Sequence, residues 1–215
     1  MRETFRAALE RLTDDLARAA RLAGQMMTQA STALNHADLG LAELVVASRG
    51  ELRALCESMD RRCATLLALQ APVATDLRMV IAAMRVVSDV ERMCTLAQHV
   101  ATIARMKHPT VPIPGAVRPV FARMSLLATS LAQDAATAIE HRDPLSGGRL
   151  AEIDDEVDAL RRHTFQILFA KDWSHGIEPA VDTALIGRYY ERFADHAVAI
   201  ARQVSFLTTG LAPER

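Results

Sequence analysis

Two stretches 105 residues apart, TALNHAD at 32–38 and TAIEHRD at 137–143, align with each other. A second match follows in the same order. VERMCTLAQHVATIA at 90–104 aligns with YERFADHAVAIA at 190–201, which puts Glu91 and Glu191 100 positions apart. Two ordered matches mark a duplicated chain, and they require each half to fold as the same supersecondary unit. The smaller second offset requires a shorter connection before the last element of the second half.

The repeated unit is helical. Apolar residues in the first segment recur at Phe5, Leu9, Leu12, Leu16, Ala19, Ala23, Met26, Ala30 and Ala33. Steps of three and four over that length describe one face of an amphipathic helix, which should end near Asn35–Gly40. A second periodic segment runs from Leu41 to Leu69 and stops before Pro72. A third runs from Thr75 to Met106, with Thr75 or Asp76 as its N-cap. The stretch KHPTVPIPGAVRP carries prolines at 109, 112, 114 and 119 and reads as a linker. Beyond it, Val120–His141, Arg149–Lys171 and Glu178–Leu207 repeat the three-helix pattern. The chain therefore divides into a first unit at 1–107, a linker at 108–119, a second unit at 120–209 and a flexible tail at 210–215. The fold class is all-α: two tandem homologous three-helix bundles, six long helices related by a pseudo-twofold repeat.

Composition agrees. Apolar residues make up 50% of the 215 positions and aromatics only 4%, a balance that favours helix packing over sheets. A net charge of −1 leaves no basic footprint for nucleic acid and no polybasic anchor for a membrane surface. No apolar run is long enough to span a bilayer. The N-terminus, MRETFRAALERLTDD, has charges where a signal peptide has an apolar centre, so a cytoplasmic location is expected. Cys56, Cys63 and Cys94 are odd in number and contain no CxxC, and they read as core residues. Met26, Met27, Met79, Met84 and Met93 read as core filler, and Trp173, at a helix break, as a cover for the core.

Chemistry concentrates in carboxylates. Asp154 and Asp158 stand four apart on the middle helix of the second half, and Glu191 and Asp195 four apart on its last helix. Residues at that spacing share a helix face. Four carboxylates on neighbouring helices suit hard or borderline cations such as Mg²⁺, Mn²⁺, Fe or Zn²⁺. The plain alternative is an acidic face neutralised by Arg161, Arg162, Arg188 and Arg192. In the first half the equivalent positions hold Arg49, Arg53, Glu91 and Thr95, which should form an arginine–glutamate salt bridge and repel a cation. His196 reads as a satisfied polar residue rather than a catalytic one. There is no Glu-x-x-His pair of the di-iron kind, no phosphate loop, no HExxH and no nucleophile elbow.

LLALQAPVATDLRMVIAAMRVVSDVER resembles the first-repeat signature of the PhoU family, through Pro72, Ala74, Asp76, Leu77 and Arg78, then Glu91 and Arg92. YYERFADHAVAIA, with Glu191, Arg192, Asp195 and His196, resembles the second-repeat signature. The resemblance covers the whole chain. It implies two three-helix bundles in a cytoplasmic, non-catalytic homodimer, peripheral to the membrane only through protein partners. Such an adaptor couples the phosphate ABC transporter, through its ATPase subunit or membrane domain, to a phosphate sensor histidine kinase, and represses phosphate-starvation genes and uptake. Some members carry iron or zinc clusters on acidic motifs. By position these motifs fall on Asp154, Asp158, Glu191 and Asp195, so iron, zinc or magnesium is admitted in the second repeat alone and required in neither. Asp76, Arg78, Glu91, Arg92, Arg192 and His196 are the signature positions expected to serve partner binding. The first repeat departs from the family pattern at Arg49, Arg53, Thr95 and His99, and the second at Ala199. The rival reading is a metal-binding or metal-storing bundle that works through its acidic quartet.

Overall fold

The computed structural model describes residues 2–210, so all but the first residue of the expected tail at 210–215 lies outside the described residues. Seven helical segments follow in order: α1 (Arg2–His36), α2 (Leu39–Ala47), α3 (Arg49–Gln70), α4 (Ala74–Lys107), α5 (Arg118–His141), α6 (Ser146–Leu168) and α7 (Ile177–Thr209). The second expected helix is divided at Ser48 into α2 and α3, so the six-helix plan holds with one arm broken. Ser48 stands at φ −66°, ψ −7°, and its hydroxyl donates to the Val45 carbonyl at 2.7 Å. A serine bonded back to its own turn, with Gly50 just after it, is a recognised cause of a helix kink.

The duplication is visible in individual hydrogen bonds. α1 and α5 end at His36 and His141, and the next residues, Ala37 and Arg142, both adopt a left-handed conformation at φ 51°. The following aspartates close the turn in the same way: Asp38 N–H donates to Ala33 O at 3.1 Å, and Asp143 N–H to Ala138 O at 3.2 Å. These are Schellman-type closures, which satisfy carbonyls that the helix end would orphan. Each aspartate then uses its side chain to accept from the start of the next segment, Leu41 N–H in one half and Leu145 N–H in the other.

α1, α4, α5 and α7 form the central layer, with α2 and α3 against α1 and α4, and α6 against α5 and α7. The two units therefore share one core. α4 and α7 run antiparallel along a seam of matched pairs. Arg78 lies against the Gly210 end of α7, Arg85 Nη1 donates to Gln203 Oε1 at 3.2 Å, and Asp89 meets His196. Farther along, His99 stacks on Tyr189 with ring centroids 5.1 Å apart, and Lys107 pairs with Asp182 at 2.8 Å. α1 and α5 make the second antiparallel seam, through Arg21–Glu140 and the Thr28–Thr129 hydroxyl pair. Gly24 lets these helices approach: a Cβ there would sit 2.9 Å from the Ala132 Cβ. Tyr190 is fully buried and shares a 2.5 Å hydrogen bond with Ser31 of the other unit. Burial pushes its phenol up to about 12.

Several local readings are corrected. α4 begins at Ala74 with no side-chain cap, so Thr75 and Asp76 sit inside the first turn rather than at the N-cap. α5 starts at Arg118 and takes Pro119 into its first turn, where a missing N–H costs nothing. The segment joining α4 to α5 is anchored, because Ile113 and Val117 are fully buried. Met84 is 39% exposed, unlike the buried Met26, Met27 and Met93. Trp173 is half-buried against the core and donates to Gly176 O at 2.9 Å.

Candidate functional site

In the second unit α6 brings Asp154 and Asp158 alongside Glu191 and Asp195 of α7, and the four fare differently. Glu191 is 8% exposed and is claimed by arginines: Arg188 Nη1 donates to its Oε2, and Arg161 Nε makes an ion pair at 3.2 Å with the same oxygen, without hydrogen-bond geometry. The Arg161 guanidinium also covers the Phe165 ring at 5.3 Å, which fixes its position. Asp195 is held by Arg192 at 2.9 Å, one turn away on its own helix. Arg162, the remaining arginine expected to neutralise the face, is exposed and joins none of these pairs.

Asp154 is the exception. Its Oδ1 is buried without a hydrogen-bond partner. Burial, then the negative charges of Asp195, Asp158 and Asp155, push its carboxyl up to about 7, against a smaller opposing pull from Arg202. Carboxylates that repel one another are the right donors for a hard cation. In the present arrangement, however, no three His, Cys, Asp or Glu side chains among the described residues stand close enough to share one ion. The aspartates fit a cation by chemistry, whereas Glu191 does not, because two guanidiniums hold it.

The same place in the first unit has the opposite character. Arg49, Arg53, Glu91 and Thr95 do come together, around a cleft of about 70 Å³ floored by Cys56 and Cys94. The expected salt bridge to Glu91 does not form. Arg53 Nε turns instead to Glu57 at 2.9 Å, one turn along α3, and Arg49 has no ion-pair partner among the described residues. Cys56 occupies the position equivalent to Arg161, so Glu91 lacks the guanidinium that seals Glu191. Burial raises the Cys56 and Cys94 thiols to about 11 and about 12, which leaves both neutral.

The remaining signature residues are spread along α4. Fifteen residues separate Asp76 from Glu91, roughly 22 Å of helix rise, so Asp76, Arg78, Glu91 and Arg92 make a strip rather than a cluster. Asp76, Glu91 and Arg92 are exposed. Arg78 is half-buried against the C-terminal end of α7, where the helix dipole favours a cation, and its Nη2 donates to Thr75 Oγ1 at 3.1 Å. His196 Nδ1 is 2.9 Å from Asp89 Oδ1, so its partner lies in the other unit. Asp89 was not singled out from sequence, because only the antiparallel register of α4 and α7 brings it to His196.

Comparison with known proteins follows the duplication. The family model described as PhoU domain matches twice, at residues 16–104 and 121–204. A phosphate-specific transport system accessory protein, PhoU homolog 2, from Mycobacterium tuberculosis is 42% identical over 213 residues, 99% of this chain and 100% of that protein. A PhoU homolog of Synechocystis is 33% identical, over 97% of this chain and 93% of the relative. Among solved structures, PhoU from Pseudomonas aeruginosa superposes with a TM-score of 0.88 at 26% identity, covering 96% of this chain and 100% of that one.

Proposed function

The chain belongs to the PhoU family, and from that premise we propose that it is a negative regulator of phosphate uptake and of the phosphate-starvation response. It acts as a non-catalytic adaptor between the phosphate ABC transporter and a sensor histidine kinase, and it needs no metal to do so.

One observation supports the adaptor reading best. The antiparallel α4–α7 seam places the beginnings of those two helices at opposite ends of one body, and both ends are apolar and exposed. Leu69 and Val73 are 74% and 73% exposed at one end; Phe169 and Ile177 are 82% and 84% exposed at the other. A single surface apolar residue means little, but grouped ones suit protein contacts. Two such ends let one body touch two partners. Transmission further requires that the adaptor bind one transporter state more tightly than the other, since equal affinity transmits nothing.

The test is a phosphate-responsive reporter in cells that lack this protein and any second family member, grown in ample phosphate. The reporter should be on, and the intact gene should silence it. A reporter that stays off sinks the regulatory reading. Val73→Lys should lose one partner and Ile177→Lys the other, with helix content unchanged in both.

The buried, unpartnered Asp154 Oδ1 supports a second reading, in which Asp154, Asp158 and Asp195 hold a hard cation. Metal analysis of protein purified without chelators discriminates. Metal present in the parent and absent in Asp154→Asn supports it; no metal in the parent removes it.

A further inference from the structure

The first-unit cleft contains a polar group that packing does not explain. Gln98 is 9% exposed, lines the cleft, and its amide has no hydrogen-bond partner among the described residues. Its equivalent in the second unit is Val198, 2% exposed, so a hydrocarbon fills this place well in the same fold. The amide is unpaired but keeps an edge open to the cleft, so it stands as a donor and acceptor that an entrant can reach. Where valine would do, such a group points to something that enters the cleft and bonds it.

The rest of the wall specifies the entrant. Arg49 has no ion pair, and Arg53 uses only its Nε on Glu57, which leaves its terminal nitrogens as donors into the cleft. The floor is uncharged, because both thiols stay protonated. Glu91 contributes the one carboxylate of the lining and has no arginine of its own. A fully deprotonated oxyanion would meet that carboxylate as a like charge. An oxyanion that retains a proton instead accepts from the arginines and from Gln98 while donating to Glu91. The cleft, about 70 Å³ on a scale where one water takes about 10–15 Å³, has room for a tetrahedral oxyanion.

We propose that the first unit binds inorganic phosphate in this cleft, with Arg49, Arg53 and Gln98 as donors and Glu91 as the acceptor of the ligand's proton. The choice of phosphate among protonated oxyanions rests on the phosphate-regulatory reading above. The site gives that reading a direct sensor, lying where the second unit carries its acidic cluster. No covalent step is involved. Carboxylate-to-proton pairing also discriminates against sulfate, which has no proton to give at neutral pH.

The test is equilibrium dialysis of the full chain against radiolabelled orthophosphate, with sulfate as competitor. One saturable site per chain is expected, with sulfate at least about tenfold weaker. Arg49→Gln with Arg53→Gln should weaken phosphate binding by about tenfold or more, since charge-assisted bonds are lost. Both residues are exposed, so this variant should keep the parent's unfolding midpoint. Gln98→Val should weaken binding without loss of stability, because Val198 already packs at the equivalent place. Glu91→Gln should narrow the preference over sulfate. Absence of saturable binding, retention of affinity in the double arginine variant, or equal competition by sulfate would each overturn the proposal. The phosphate reporter separates the two readings: regulation lost on deletion, in a protein that binds no phosphate, keeps the adaptor and removes this site.

Discussion

The two units place the same backbone around opposite chemistry. In the second unit Glu191 is buried under Arg161 and Arg188, while three aspartates crowd beside it. In the first unit two arginines stand where two of those aspartates would be, and Glu91 is exposed with no cation holding it. Yet the helix ends, the left-handed residues after them and the aspartates that close the turns repeat almost unchanged. The duplicated closures and the shared core keep the fold. The polar side chains along the groove between the middle and last helices of each unit are free to diverge, because the groove opens at the edge of that core.

The contrast can be broken most forcefully at the two glutamates. Glu191→Gln removes the shared anion of Arg161 and Arg188, whose side chains are 31% and 47% exposed, and should cost about 2–3 kcal/mol in urea unfolding. Glu91→Gln should stay within about 0.5 kcal/mol of the parent, as exposed substitutions do. Equal losses would show that the clamp adds nothing. A smaller effect is expected at Asp154. Its carboxyl is raised in the fold to about 7 from an ordinary value of about 4, so the native state holds a proton that the unfolded chain gives up. Stability therefore falls as pH rises through that window. Asp154→Asn should flatten the fall and gain about 1–2 kcal/mol above pH 7, a figure reduced for solvent screening. A variant with the parent's pH profile would show that the crowding is relieved by other means. The smallest effect tests where the units agree. Ala37→Gly and Arg142→Gly should each stabilise by about 0.5–1 kcal/mol, since both residues hold a conformation that glycine adopts freely. Unequal gains would show that the two closures differ in strain despite their matched geometry.

Much of this was legible in the sequence, for reasons that differ by residue. The heptad-like spacing from Leu9 to Ala33 lies in one helix and needs no partner to be read, and the core accepts nearly all of it. The matched TALNHAD and TAIEHRD stretches carry the closures themselves, so the repeat was local information too. The break at Ser48 was not legible, because serine sits in many unbroken helices and only its hydroxyl bond to Val45 marks the kink. The buried Ile113 and Val117 were hidden within a proline-rich segment that composition reads as solvent-exposed. At the sites, sequence placed the four carboxylates and their first-unit counterparts on facing helices. It placed Arg161, Arg188 and Arg192 at the acidic face, where they do pair, but it misplaced the arginines of the first unit. Arg53 pairs along its own helix rather than across to Glu91, and Arg161 pairs across to Glu191 rather than along, a choice set by helix register. Asp89 and His196 belong to different units and meet only through the antiparallel seam.

That seam has a consequence for how the chain holds together. Because α1, α4, α5 and α7 bury their apolar faces against one another across the repeat, neither half owns a complete core. The segment between Lys107 and Arg118 raises the effective concentration of one half near the other, and anchors itself through Val111, Pro112, Ile113, Val117 and a bond from His108 to Ala37 O. Cut there, the protein should give two fragments that are poorly folded apart and recover the helical spectrum when mixed. A gene fusion of two ancestral copies would then be seen from the other side: a homodimer whose subunits were tied together, after which each was free to exchange its charges.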